Sequence, residues 1–235
     1  MMRVMARSIP AGRLEDLVDC ATRVFIEQGY RRTQMADVAE ALGVAKGTLY
    51  LYVESKEALF DLAARLADAP RPFENPPPLP VPTPKAGATM EYVRRRLAEN
   101  QQLPALAAAL ERRRVADVHA ELAAIFGELY DVMARNRHGL KLLDRSAPDM
   151  PELAELWYGG ARGGLILALG EYVKERGRRK LLRPLPDTAI AVRMAVETIV
   201  FWAVHRHWDP HPQPVDEAVA RQAVIEFVTN ALAKE

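Results

Sequence analysis

The chain has 235 residues, enough for one large domain or a small one joined to a larger one. It is 49% apolar and 27% charged, the balance of a protein with a sizeable core. Thirty-two basic residues against 31 acidic ones leave a net charge of +1, so bulk charge points to no polyanionic partner.

Residues 1–60 are equally silent, with eight residues of each sign. A single cysteine, Cys20, excludes an intramolecular disulfide, and no CxxC or Cys/His cluster points to zinc. Cys20 falls on an apolar helical face, where a small core residue belongs. Residues 1–10 carry Arg3 and Arg7 but no apolar stretch of a signal peptide. No run reaches the roughly 18 apolar residues of a membrane span; Arg193 and Glu197 interrupt the nearest, residues 189–204. These features predict a cytoplasmic protein with no membrane partner.

The elements read as helices throughout. Leu14, Leu17, Val18, Ala21, Val24 and Phe25 mark one face of a first helix, with Gly29 as its C-cap. Thr33 is placed to cap a short second helix carrying Val38, Ala39 and Leu42. Gly43 breaks it, and a third short helix is expected over 45–52. Ser55 caps a fourth, with Leu59, Leu62, Ala63 and Leu66 inward. Pro70 ends that helix, and eight of the fifteen residues 70–84 are proline, an extended stretch. Beyond it, helices are expected over 87–101, 104–117, 119–136, 151–177, 187–207 and 215–233. The predicted division is residues 1–69, a Pro-rich linker at 70–84, and a larger domain at 85–235. With no period-2 alternation, the fold class is all-α.

Residues 33–52 are the most specific stretch. Two short helices joined by a few residues containing Gly describe a helix-turn-helix. Val44 and Leu49 can pack back on Val38 and Leu42, leaving Lys46, Gly47, Thr48 and Tyr50 facing outward. A recognition helix reaches base edges in the major groove of double-stranded DNA from its N-terminal part. Lys46 can reach a phosphate or a guanine, Thr48 offers a hydroxyl and a methyl, and Gly47 lets the backbone approach closely. Tyr50 and Tyr52 offer rings with a phosphate-binding hydroxyl, while Thr33 and Lys56 can clamp the backbone. Spacing alone leaves a small solvated helical bundle equally open.

The run from Phe25 through Gly29-Tyr30, Thr33 and Val38-Ala39 continues as Gly43-Val44-Ala45-Lys46-Gly47-Thr48-Leu49-Tyr50-Leu51-Tyr52-Val53. It closes on Ser55-Lys56-Glu57-Ala58-Leu59-Phe60, and the whole resembles the DNA-binding domain of the TetR family of bacterial regulators. The resemblance covers about a fifth of the chain. It implies DNA contacts at Thr33, Lys46, Thr48, Tyr50, Tyr52 and Lys56, with Tyr50 and Lys56 on phosphates and Lys46 and Thr48 nearer bases. Ala36 stands where many relatives carry Arg, which shifts the specificity burden to the third helix. Arg3, Arg7 and Arg13 can form a minor-groove arm or a plain tail.

The resemblance also implies a homodimer through the last two helices and a small-molecule pocket in the larger domain. Between 189 and 204 only Arg193, Glu197 and Thr198 are polar, so this helix needs cover on both sides. A two-fold dimer calls for a pseudo-palindromic operator. For the pocket, the candidates are Phe126, Tyr130, Met133, Trp157, Tyr158, Arg162, Trp202 and His205, aromatics with a few polar groups that serve a core equally well. Gly159, Gly160, Gly163 and Gly164 suit close packing, ligand space or a break in the helix. Arg162 among them can pair with an anionic ligand or with a core carboxylate. His205, His207 and His211 form no metal-binding spacing, so neither metal nor cofactor is expected. No GxSxG, HExxH or phosphate loop marks an enzyme. The expected function is a ligand-released repressor; an activator or chromosome-organising protein without an effector is the alternative.

Overall fold

The computed structural model describes residues 12–234, so Arg3 and Arg7 lie outside the described residues. Helix α1 (Arg13–Gln28) forms because its apolar residues recur on one face; Leu17, Val18, Ala21 and Phe25 lose essentially all exposure. It stops at Gly29, whose φ of 81° suits glycine and whose N–H returns to the Phe25 carbonyl at 2.8 Å. Helices α2 (Met35–Leu42), α3 (Lys46–Leu49) and α4 (Lys56–Leu66) complete the first bundle around Leu49, Leu59 and Phe60. Phe60 meets Phe25 and Tyr30 edge-on at 5.3 and 5.0 Å between ring centres.

The larger bundle comprises α5 (Ala88–Asn100), α6 (Pro104–Glu111), α7 (Val118–Arg135), α8 (Arg137–Ser146), α9 (Pro151–Ala154), α10 (Gly163–Arg178), α11 (Thr188–Ala203) and α12 (Glu217–Leu232). Asp117, Asp187 and Asp216 cap α7, α11 and α12 by accepting N–H bonds from the first turns. Helix α7 is central, packed against α6, α11 and α12 through buried Leu122, Ile125 and Leu129. No strand occurs among the described residues, and none of their helices is long and apolar enough to cross a membrane.

Four local expectations change. Gln34, not Thr33, caps α2, in a reciprocal box with Asp37. The third helix is a single turn, Lys46–Leu49, followed by tight turns to Val53. The helix expected over 104–117 ends at Glu111, because Asp117 opens α7. Helix α8 lies in the stretch between 136 and 151 where no helix is expected; buried Leu140, Leu142 and Leu143 hold it in place. Around the glycines, the chain from Glu155 to Arg162 widens into a π-helix running into α10, a form frequent at functional sites.

Helix α8 joins the two bundles at both of its ends. The Asp68 carboxylate, just beyond α4, accepts from the His138 and Gly139 N–H groups at 2.9 and 2.7 Å. A methyl on Gly139 would stand 2.8 Å from that carboxylate and push the Asp68 side chain aside. In the last turn of α8, Arg145 donates to the Ile26 carbonyl at 3.0 Å, and just past it Asp149 accepts from the Arg31 N–H at 2.8 Å. The proline-rich stretch is docked as well. Val81 donates to the Tyr52 carbonyl at 2.7 Å and accepts from Glu54 at 3.0 Å, and Thr83 bonds the Ser55 hydroxyl at 2.9 Å.

Far from the first bundle in the chain, α10 drives Arg176 into the core. Its side chain is 1% exposed, and it pairs with Glu121, 3% exposed, at 2.8 Å. Arg176 also donates to the Ala109 carbonyl, and Tyr172 donates to Glu121 at 3.0 Å. Burial alone would lower the Arg176 pKa, but its bonds to Glu121 and Glu175 outweigh that and hold it above its ordinary value. Removing Glu121 leaves buried Arg176 with Glu175 as its one acidic partner, and breaking a buried pair costs about 3–5 kcal/mol. Urea denaturation should therefore show Glu121→Ala strongly destabilised and the double variant Glu121→Leu/Arg176→Met much less so. Equal losses in the two would show that the pair is not coupled.

Candidate DNA-binding surface and effector cavity

The turn between α2 and α3 is built by backbone geometry. Gly43 takes a φ of 70°, closed to most side chains, and its N–H closes on Glu40 at 3.0 Å. Val44 N–H then reaches Ala39 at 2.9 Å, which aims α3 outward. Leu49 plugs α3 into the bundle with no exposure. Lys46, Gly47 and Tyr50 are exposed, and Thr48 is half-buried. Nothing lies within 4 Å of a methyl placed on Gly47, whose φ is not positive, so the chain's own packing does not require glycine there.

Lys56 is half-buried. Its ammonium stands 4.5 Å from the Tyr30 ring centre and donates to the Arg31 carbonyl at 3.2 Å. Burial pulls its pKa below the usual lysine value. Burial, with Glu57 beside it, pushes the Tyr30 phenol up to about 12. Thr33 and Tyr52 are placed differently from the expectation of outward side chains. Thr33 is 1% exposed and its hydroxyl donates to the Gly29 carbonyl at 2.8 Å; Tyr52 is 4% exposed beneath the proline-rich stretch. Both brace the motif from inside. Gln34, exposed at the start of α2, was missed because glutamine is a weak capping signal.

The bond from Val81 to Tyr52 makes residues 70–84 a strap over the exit of α3. Val81→Pro removes the donor, so the Glu54 amide should exchange with solvent faster while amides of α7 and α10 keep their rates. Unchanged protection at Glu54 would show that the strap carries no load.

Two depressions differ in kind. A cleft of about 1130 Å³ between α1 and the α7–α8 junction is wide and charged, with Arg23, Arg71, Arg135 and Arg137 facing Asp16, Asp19 and Asp68. A smaller cavity of about 290 Å³ lies inside the larger bundle, walled by Leu97, Leu103, Leu106, Val132, Leu165 and Val200. Its enclosure and apolar walls with a few polar groups suit a small molecule better than the charged cleft does.

Of the expected pocket residues, Met133, Trp157, Arg162 and His205 line this cavity. The other four do not. Phe126 and Tyr130 are buried on the α7 face turned to α12, where the Tyr130 hydroxyl donates to Glu217 at 3.1 Å. Tyr158 is exposed, its hydroxyl on the Asp144 carbonyl at 3.4 Å. Trp202 packs near Phe201 and Arg206. The misplaced residues share a cause: aromatic spacing along one helix does not tell which neighbour covers that face. The aliphatic lining from α5 and α6 carries no chemical signature and was missed. The three histidines go separate ways, His205 to Lys141, His207 to Arg137, and His211 to solvent. Burial first, then Arg137, lowers the His207 pKa to about 4.

Residues 17–63, most of the first bundle from α1 into α4, match the family described as bacterial regulatory proteins, tetR family. This first bundle is a TetR-family domain. Among curated TetR-family relatives, a transcriptional repressor KstR2 of Rhodococcus jostii is 41% identical over 51 residues, 22% of this chain and 25% of that protein. A fatty acid metabolism regulator protein of Bacillus subtilis is 44% identical over 41 residues, 17% and 21% of the two chains. The chain thus aligns with about a quarter or less of the length of these relatives. Over nearly its whole length it shares the fold of the ketosteroid transcriptional regulator KstR2 of Mycobacterium tuberculosis, with a TM-score of 0.55 and 16% identity, covering 99% of this chain and 100% of that one. A TetR-family regulator of Streptomyces coelicolor A3 gives 0.52 at 20% identity, covering 93% and 91%.

Proposed function

We propose that this protein is a sequence-specific DNA-binding transcriptional regulator, a homodimeric repressor that a small molecule releases from its operator in the cytoplasm. The observation that carries the reading is the outward face of α3, with Lys46, Gly47 and Tyr50 exposed on a turn anchored by buried Leu49. A short helix held this way enters the major groove and reads bases with its outward residues. Lys46 and Thr48 would read bases. Tyr50 and Lys56 would hold phosphates, with Gln34 beside them and Gly47 permitting close approach. That family relatives are named as repressors or regulators supports the same reading. The enclosed cavity favours an effector-responsive protein over a constitutive DNA organiser.

The dimer rests on exposed apolar side chains. Ile190 and Met194 on α11 are 61% and 65% exposed, and Val219 and Phe227 on α12 are 60% and 66%. Their spacings of four and eight put each pair along one side of its helix, a stripe that water disfavours and a second copy would cover. A two-fold pair would present two copies of α3 to a pseudo-palindromic operator. Phe227→Glu, at an exposed position, should give a folded monomer by light scattering that binds operator DNA far more weakly. A variant that stays dimeric would move the interface elsewhere.

The reading is tested by binding to the DNA upstream of the protein's own gene and to scrambled DNA across a salt series. Specific binding should exceed background by about a thousandfold or more. Lys46→Ala should reduce the log–log salt slope by about one if Lys46 touches a phosphate, and leave it unchanged if it reads a base. Thr48→Ala should flatten base preference, whereas Tyr50→Ala and Lys56→Ala should weaken binding on every sequence. An equal loss for Thr48→Ala on all sequences would remove it from base reading.

A further inference from the structure

The cavity combines apolar walls with a polar group around His205 and Arg162, whose donors the protein does not all satisfy. Arg162 donates through Nη2 to Glu197 at 2.5 Å, and the same Glu197 oxygen takes Arg193 at 2.7 Å. One carboxylate thus stands between two guanidinium groups, leaving a net positive charge. Among the described residues, Arg162 has no acceptor for Nε or Nη1. His205 Nδ1 lies 3.0 Å from the Lys141 ammonium, so it accepts there, and the ring proton belongs on Nε2. Burial, then the charge of Lys141, lowers the His205 pKa and keeps the ring neutral. Nε2–H likewise finds no acceptor among the described residues.

Arg162, 28% exposed, and half-buried His205 thus keep donors open to water or to the acceptor of a ligand. The one acidic lining residue, Asp144, is already answered: it accepts from the Trp157 indole at 3.3 Å and lies one helical turn from Lys141. Asn100 and Gln101 add neutral amides, the Gln101 amide donating to the Ala161 carbonyl at 3.0 Å, and most of the remaining lining is apolar. The volume of about 290 Å³ holds about ten waters, or a molecule of roughly ten to fifteen non-hydrogen atoms.

We propose that the effector is an amphipathic monocarboxylate, its apolar body among Leu97, Leu106 and Leu165 and its carboxylate on Arg162 and His205. This rests on the reading of the cavity as the effector site. The carboxylate would compete with Glu197 for Arg162 and accept from His205 Nε2, and charge-assisted bonds of this kind are the strong ones.

The test uses the full-length protein with decanoate, decanol and decylamine in calorimetry and thermal shift. Decanoate should bind at least tenfold more tightly than decanol, and decylamine more weakly still. Arg162→Gln should lose about tenfold or more for decanoate and nothing for decanol, so retained decanol binding reports that the variant is folded. Decanoate should also release the protein from operator DNA at the concentrations at which it binds. Equal binding of decanoate and decanol, or preference for decylamine, would overturn the headgroup assignment and leave the cavity as an apolar effector site. Failure of all three to bind would overturn the cavity reading along with it.

Discussion

The orphan groups at helix ends are the constraint on which this fold depends. Every helix leaves four N–H and four C=O groups without partners inside itself, and buried ones must be met elsewhere. Here the two bundles meet them for each other. The Asp68 carboxylate after α4 takes the first amides of α8, and Arg145 beyond mid-α8 takes the last carbonyls of α1. The first bundle and the larger one are therefore joined by hydrogen bonds at both ends of α8.

That joint gives the cavity a physical connection to α1. Leu140 and Asp144 on α8 line the cavity, while Arg145 on the same helix holds the end of α1. A shift of α8 is felt on both sides because the helix is rigid and its ends are tied. A ligand changes the balance of such a joint only through its differing affinity for the two positions. Helix α5 forms a second connection: Leu97 and Gln101 line the cavity, and Thr89 near its start donates to Asp61 of α4 at 2.8 Å.

The first bundle was legible because its rules are local. Apolar spacing in α1, the left-handed glycines Gly29 and Gly43, and the Ser55 cap each act within a few residues. The outward positions of Lys46, Gly47 and Tyr50 followed from that spacing. Thr33 and Tyr52 did not: the Thr33 hydroxyl turns back to the Gly29 carbonyl, and Tyr52 is buried where the strap at Val81 joins the first bundle. In the larger bundle the helices were mostly legible and their partners were not. Phe126 and Tyr130 have a pocket's composition, but their face of α7 belongs to α12.

The sequence by itself determined the all-α class, the helix-turn-helix and the broad apolar faces of α11 and α12, since periodicity, caps and glycine φ values are properties of short segments. Tertiary structure decided which polar groups are left without partners and which are used up. Arg162 and His205 stand at the cavity because helices distant in sequence close around them, Asp144 is answered by Trp157, and α8 persists despite Gly139 because Asp68 holds its end. Such facts depend on which surfaces meet, and no local pattern encodes that.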